Sequence, residues 1–176
     1  MNLEECRRDC AKKQQLGLPF MLGAAIAWCV MLIVHSTPFA QTMKNLLCLI
    51  ITGTIFPLSF VSARLLRANL RSEGNALAGL GSLFISCTLF TLPVAAWASS
   101  AAPERGLMVL ALLFAAIMPL FAWLYKSKAY RIMAFSLPVG ALVIGHLFPL
   151  TVLALAMTAA IAVLCLHLVS VQRADA

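Results

Sequence analysis

The sequence predicts an all-α integral membrane protein, built as a bundle of six transmembrane helices. Composition is the first observation behind this prediction: 62% of the 176 residues are hydrophobic and 11% are charged, whereas about a quarter of a soluble domain is charged. A soluble fold of this length has no interior large enough for so much apolar surface, so the lipid bilayer is the expected partner. Second, the basic residues behind the net charge of +7 sit in short clusters between apolar runs. Membrane orientation explains this pattern, and we expect no nucleic-acid partner.

The apolar runs are long enough to cross a bilayer, which takes about 20 residues of helix. The last run, 132–171, has 40 residues, and as one helix it would be about 60 Å long, twice the membrane thickness. It must therefore fold back, and Gly145 to Pro149 is its turn-like break. We treat the chain as a single membrane domain, residues 1–176. Its predicted spans are 18–35, 44–64, 76–98, 106–125, 132–147 and 149–171.

Basic residues between the spans predict the side on which each loop lies. With the N-terminus inside, the outer segments carry two basic residues, Lys44 and Arg105, and the inner segments carry eleven. Because cytoplasmic loops are enriched in Lys and Arg, both termini are predicted to be cytoplasmic. A five-span alternative moves only Arg173 to the outside and fits less well. The inner residues are Arg7, Arg8, Lys12, Lys13, Arg64, Arg67, Arg71, Lys126, Lys128, Arg131 and Arg173.

The polar segment before the first span is predicted to be a short helix on the inner membrane surface, with a frayed tail as the alternative. Asn2 and Glu5 have the spacing of a capping box. Glu4 and Arg8 form an i,i+4 pair, and Cys6 belongs to an apolar face. The run that follows ends without a small-x-small cleavage site, so we interpret it as a retained first span rather than a signal peptide.

Acidic residues are missing from all six predicted spans. A charged group at bilayer depth is costly, and where it occurs it usually marks a proton path. The sequence therefore argues against proton-driven exchange through a buried carboxylate. It also argues against an intramembrane aspartyl protease, which needs two such groups. The six acids lie outside the predicted spans, at Glu4, Glu5, Asp9, Glu73, Glu104 and Asp175.

Prolines cluster near the middle of the predicted spans. A proline lacks an N–H and frees the carbonyl four residues before it, which lipid cannot satisfy. Three prolines lie at similar depth, among hydroxyl side chains, and Trp28 lies at mid-depth as well, where its indole N–H needs an acceptor. The alternative is that these residues only shape the packing. The hypothesised ligand or water site comprises Trp28, Gly53, Pro57, Pro119 and Pro138.

Metal and catalytic motifs are not found in the sequence. Cys6 and Cys10 lie about one helical turn apart but lack further ligands, so small apolar contacts are the favoured interpretation. His35, His146 and Glu104 all fall on the predicted outer side. One interpretation is a metal site, and the more ordinary one is a set of interfacial side chains. No hydrolase, zincin or phosphate-binding motif occurs, so we expect no enzyme activity, metal or cofactor.

Small residues at four-residue spacing predict close helix packing. They occur in the third span at Ala78, Ser82 and Ser86, and in the sixth at Ala156 and Ala160. Such faces let helices approach closely. We expect a compact bundle, and a homo-oligomer through one of these faces remains an open alternative.

Several short motifs lie within or next to the predicted spans. They include Asn2-Leu3-Glu4 before a basic cluster, Gly17-Leu18-Pro19 before the first span, Gly53-x3-Pro57 in the second and Gly74-Asn75 before the third. Together they resemble a family of small bacterial membrane proteins of unknown function. The resemblance covers most of the chain and implies a protein of the bacterial inner (plasma) membrane with about six spans. It implies no activity and no site residues.

Three classes of function are compatible with these patterns. The leading hypothesis is a small channel-like or carrier-like protein, or a binder of a small or lipid-like molecule, with its site near the midplane between the second, fourth and fifth spans. The first alternative is a structural or regulatory membrane protein that acts through a partner. The least favoured alternative is an intramembrane enzyme. A polar cavity at mid-depth would favour the first class, and solid packing there the second.

Overall fold

The computed structural model describes residues 2–70 and 74–174, and within these ranges every regular element is a helix. Short turns join most of the described helices, and two of these turns, Gln15–Gly17 and Pro103–Arg105, are 3-10 helical. The α-helices are α1 (Leu3–Lys13), α2 (Leu18–His35), α3 (Gln41–Leu65), α4 (Leu80–Phe90), α5 (Leu92–Ala101), α6 (Gly106–Ala115), α7 (Met118–Tyr125), α8 (Lys128–Leu147) and α9 (Leu150–Ala174).

Among the described residues, six helical segments are long and apolar enough to cross a membrane, which confirms the predicted all-α, multi-pass architecture. Their ends differ from the predicted spans by a few residues. The second and fifth begin at Gln41 and Lys128, because polar residues extend each helix beyond its apolar part. The segments are Gln15–His35, Gln41–Leu65, Leu80–Ala101, Pro103–Tyr125, Lys128–Leu147 and Leu150–Ala174.

Two of the spans are interrupted near their middle. The third breaks at Thr91 into α4 and α5, and the fourth breaks after Ala115 into α6 and α7. A proline follows each break, Pro93 in α5 and Pro119 in α7, in the first turn of the restarted helix, where its missing N–H costs least. Pro57 and Pro138, in contrast, lie inside the uninterrupted helices α3 and α8.

Helix α2 is the central element of the bundle and packs most extensively on α3 and α9. Three large side chains of this helix are almost completely buried: Phe20, Met21 and Trp28. Gly23 allows the close approach of α3, since a Cβ at this position would lie 2.8 Å from the backbone nitrogen of Ser59. Ile26, Val30 and Ile33 are exposed on the other side of the helix. Helix α2 therefore packs one face in the core of the bundle and leaves an apolar face for lipid.

A cluster of aromatic rings closes one end of the bundle. The Phe121 ring stacks on Tyr125 and Tyr130, with centroids 5.9 and 5.6 Å apart. The Tyr125 hydroxyl donates to Oε1 of the buried Gln14 at 2.7 Å, and Nε2 of Gln14 donates to the carbonyl of Ala78 at 2.6 Å. Aromatic stacking and buried hydrogen bonds together join the segment after α1 to the turn before α4, to α7 and to α8.

Helix α1 docks at the same end as the aromatic cluster. The predicted capping box is confirmed, because the Asn2 side chain accepts from the backbone of Glu5 and the Glu5 side chain accepts from that of Asn2, both at 2.8 Å. Glu4 pairs with Arg7, one residue before the predicted partner Arg8, and also with Lys126. The Lys126 ammonium holds the pKa of Glu4 below its ordinary value. These contacts tie α1 to the end of α7.

The helix of the third span begins at Leu80, later than predicted, because Asn75 holds the residues before it in a turn. Its side-chain oxygen accepts from the backbone N–H of Leu77 at 2.9 Å, which holds residues 75–79 in turns rather than in helix. Its amide donates to the carbonyl of Cys6 at 2.9 Å and to Asp9 at 2.8 Å. Ala78, predicted to be the first of a stripe of small helical residues, lies in this turn.

Replacing Tyr125 by Phe is expected to destabilise the protein by about 1–3 kcal/mol, because it leaves the buried Oε1 of Gln14 without its donor. The measurement is reversible unfolding by SDS in mixed micelles. The control is Ser100→Ala, which removes an exposed hydroxyl that bonds only its own helix; we expect it to shift stability by less than about 0.5 kcal/mol. Equal effects of the two substitutions would contradict the structural role of this hydrogen bond.

Cysteine labelling tests the sidedness that the basic residues predict. In a variant with the six native cysteines replaced by alanine, single cysteines at Thr42 and Ser100 are expected to react with an impermeant thiol reagent added to intact cells. Cysteines at Asn69 and Lys128 are expected to react only after the cells are permeabilised. All four positions are exposed in the structure. Labelling at Asn69 in intact cells would show the opposite orientation.

Candidate functional site

A polar pocket of about 420 Å³ opens at the end of the bundle opposite α1, and we call it the end pocket. It forms where the end of α2, the start of α3, the 103–105 turn and the α8–α9 connection meet. Asn45 holds the turn in place, because its amide donates to the carbonyl of Pro103 at 2.8 Å. The polar and charged residues that line the pocket are His35, Gln41, Lys44, Glu104, Arg105, His146 and Thr151.

Two cations face a single acid in the end pocket. The Lys44 ammonium donates to the carbonyl of His35 at 3.1 Å, and the Arg105 guanidinium donates to the carbonyl of Gly145 at 3.3 Å. Each cation uses one N–H in this way and keeps further donors. The acid is the exposed Glu104. With neutral histidines the pocket therefore has a net charge of +1, which favours an anionic or zwitterionic ligand over a free cation.

His35 lines the end pocket and has a buried ring nitrogen without a partner. Its side chain is 4% exposed, and Nδ1 lies 3.1 Å from the carbonyl of Met31, which assigns the ring proton to Nδ1 in the neutral tautomer. Nε2 is then an acceptor, and it has no hydrogen-bond partner among residues 2–70 and 74–174. A buried polar atom of this kind normally has a partner, so the pocket suits a ligand that also donates a hydrogen bond.

The structure brings His35, His146 and Glu104 to one pocket, as the predicted outer metal site requires. Within the described part of the chain, however, no three His, Cys, Asp or Glu residues are grouped so that they could hold a metal ion. Lys44 and Arg105 line the same pocket and repel a cation. The metal hypothesis for these three residues therefore has no geometric support.

Cys10 behaves as a packed thiol. Its sulfur accepts from the Asn75 amide at 3.3 Å, and its side chain is 0% exposed. Burial raises the pKa of the Cys10 thiol. A thiol held neutral in this way is a poor metal ligand, which suits the apolar interpretation of the Cys6 and Cys10 pair.

A second and much smaller space lies near mid-depth, and we call it the mid-bundle cavity. Its volume is about 10 Å³, and the first four spans form its wall. Trp28 from α2 lines it and is 1% exposed, with Phe114 packed edge-to-face against its ring at 6.1 Å between centroids. The other lining residues are Met31, Thr52, Ile55, Thr88, Thr91, Leu110 and Leu113.

The structure does not bring the five residues of the hypothesised site together. Trp28 lines the mid-bundle cavity, whereas Pro57 and Pro119 are exposed and Gly53 and Pro138 are half-buried, away from its wall. A Cβ added at Gly53 would meet no atom within 4 Å. Helices in a bundle curve with their convex side outward, and a proline ring, which bends the helix away from itself, is accommodated on that side. The cavity therefore lies among the first four spans, not between the second, fourth and fifth.

Sequence reasoning missed Lys44 and Arg105 as site residues. These are the two basic residues that the charge count placed on the outer side, against eleven on the inner side. Both line the end pocket. The sequence offered one signal for a site role: these two basic residues do not follow the bias of the others toward the inner side. Thr91 was also missed, although the proline two residues after it marks the break that sets its position.

The comparisons with known proteins place the chain in a family without assigning an activity. No curated protein and no solved structure matches it. The model of the family of unknown function DUF7010 matches residues 3–171. The chain therefore belongs to this family of unknown function, as a multi-pass membrane protein.

Proposed function

We propose that this protein is a membrane-embedded binding protein of the bacterial inner membrane that holds a small anionic group in its end pocket. The observation that carries the proposal is the pairing of Lys44 and Arg105 around one pocket. Basic residues are depleted on the outer side of inner-membrane proteins. A ligand site gives these two exceptions a role beyond their bonds to the backbone carbonyls of His35 and Gly145.

The ligand chemistry follows from the groups that line the pocket. Lys44 and Arg105 offer charged donors, and the Nε2 atom of His35 offers an acceptor. A phosphate that carries its own donor, such as a hydroxyl or an ammonium, satisfies both requirements. The volume of about 420 Å³ lies within the range of small-molecule pockets. Exposed Leu147 and Phe148 at the rim also suit the acyl part of a lipid.

A binder fits this conformation better than a channel does. Passage through the bundle would have to cross the level of Trp28 and Phe114, where the free volume is about 10 Å³. Such a space holds about one water molecule. At the far end, Phe121 and the hydrogen-bonded Tyr125 fill the interior. A purely structural role through a partner remains the rival proposal, and it does not require the cationic pocket.

Ligand-dependent thermal stability tests the proposal. A ligand that binds only the folded state raises the unfolding temperature. The detergent-purified protein is therefore titrated with inorganic phosphate, with phosphatidylglycerol and with phosphatidylethanolamine. We expect stabilisation by at least one of them. Stabilisation by a lipid but not by phosphate identifies a headgroup, and stabilisation by phosphate identifies a soluble anion.

Charge-removing variants assign the effect to the end pocket. Lys44→Gln and Arg105→Gln are each expected to weaken binding about tenfold or more, because a charge-assisted hydrogen bond is lost. Lys128→Gln is the matched control, since it removes an exposed cation at the opposite end of the bundle. The unfolding temperature without ligand is recorded for every variant. The proposal fails if no probe stabilises the protein, or if Lys128→Gln weakens binding as much as Lys44→Gln does.

A further inference from the structure

We infer that the mid-bundle cavity is a binding site for a single water molecule, held between the Trp28 indole and threonine hydroxyls. This inference is independent of the end pocket. The indole nitrogen of Trp28 is buried and has no hydrogen-bond partner in the part of the chain that the structure describes. An indole N–H can only donate, so the missing partner is an acceptor. Lipid offers none at this depth.

The threonines around the cavity have their protons occupied and their lone pairs available. The Thr52 hydroxyl donates to the carbonyl of Cys48 at 2.8 Å, and the Thr88 hydroxyl donates to that of Ile85 at 2.7 Å. Thr91 donates to the carbonyl of Thr88 at 2.9 Å. Each oxygen keeps lone pairs that can accept. The wall therefore combines one unpaired donor with several acceptors.

Water is the ligand that matches this set of groups. It accepts from the Trp28 N–H through a lone pair and donates its two protons to threonine oxygens, which makes the three hydrogen bonds typical of a buried water. The volume of about 10 Å³ is close to the ~10–15 Å³ that one water needs. A metal cation is disfavoured, because the indole N–H presents positive charge. An anion is disfavoured as well, because the hydroxyl protons are already donated to backbone carbonyls.

The test is NMR of the full-length protein with ¹⁵N-labelled tryptophan in nanodiscs of perdeuterated lipid. The chain has three tryptophans, and loss of one signal in Trp28→Phe assigns the Trp28 indole. We expect a cross-peak between this N–H and the water resonance, with the sign of a bound water rather than of proton exchange. Absence of this cross-peak from the unmodified protein overturns the inference, whatever the variants do.

Isosteric variants identify the acceptors. Thr52→Val and Thr88→Val each remove one hydroxyl from the wall and are expected to weaken the cross-peak about twofold or more, because the water loses one of its three bonds. Thr54→Val is the matched control: it lies on the same helix as Thr52, but its hydroxyl is exposed and bonds the carbonyl of Ile51. It should leave the cross-peak unchanged. An undiminished cross-peak in both Thr52→Val and Thr88→Val also overturns the inference.

Discussion

Each polar group within the spans has to find its partner inside the bundle, because hydrocarbon offers no hydrogen bonds. Most side-chain hydroxyls meet this constraint locally, by donating to a carbonyl one turn earlier: Ser59 to Ile55 at 2.7 Å and Thr158 to Ala154 at 2.8 Å are examples. The indole N–H of Trp28 and the second ring nitrogen of His35 are not satisfied in this way. Trp28 Nε1, His35 Nε2 and Ser99 Oγ remain without partners among the described residues of the spans. Trp28 lines the mid-bundle cavity and His35 lines the end pocket.

The two ends of the bundle meet the same constraint in different ways. At the α1 end, the Gln14 side chain donates to the carbonyl of Ala78 and accepts from the Tyr125 hydroxyl. The Tyr130 hydroxyl donates to the carbonyl of Leu16 at 3.0 Å. These interior polar groups are therefore satisfied within the protein. At the other end, Lys44 and Arg105 keep donors that the protein does not use. The pocket that we propose as a ligand site lies at this end, which carries the connections between α2 and α3, α5 and α6, and α8 and α9.

The features that sequence predicts are those set by nearby residues. The six spans follow from apolar length, and the capping box of Asn2 and Glu5 follows from a spacing of three residues. The depth of Trp28 follows from counting along α2. Which way a proline ring points does not follow from its depth, so Pro57 and Pro119 were expected at an interior site and lie on exposed faces. The end pocket joins residues near 35–44, 104 and 146–151. Sequence pattern placed His35, Glu104 and His146 on one side of the membrane, but it did not show that they share a pocket with Lys44 and Arg105.

The end pocket and the mid-bundle cavity share a wall of two helix faces. Along α2, Trp28 and Met31 line the cavity and His35 lines the pocket. Along α3, Thr52 lines the cavity and Lys44 the pocket. Trp28 and His35 are seven residues apart, which is about 10 Å of helix.

Met31 and Cys48 occupy the interval between the two spaces, and each is 1% exposed. The His35 ring contacts both, because its Nδ1 atom lies 3.1 Å from the Met31 carbonyl and 3.7 Å from the Cys48 sulfur. A ligand that donates a hydrogen bond to Nε2 of His35 therefore contacts the same ring that contacts Met31 and Cys48. On α2 and α3 the partition includes an unbranched thioether and a small thiol, and methionine in particular adapts its shape easily. The geometry thus separates the pocket from the cavity by packing alone, with no ion pair or covalent bond among the residues that form the partition.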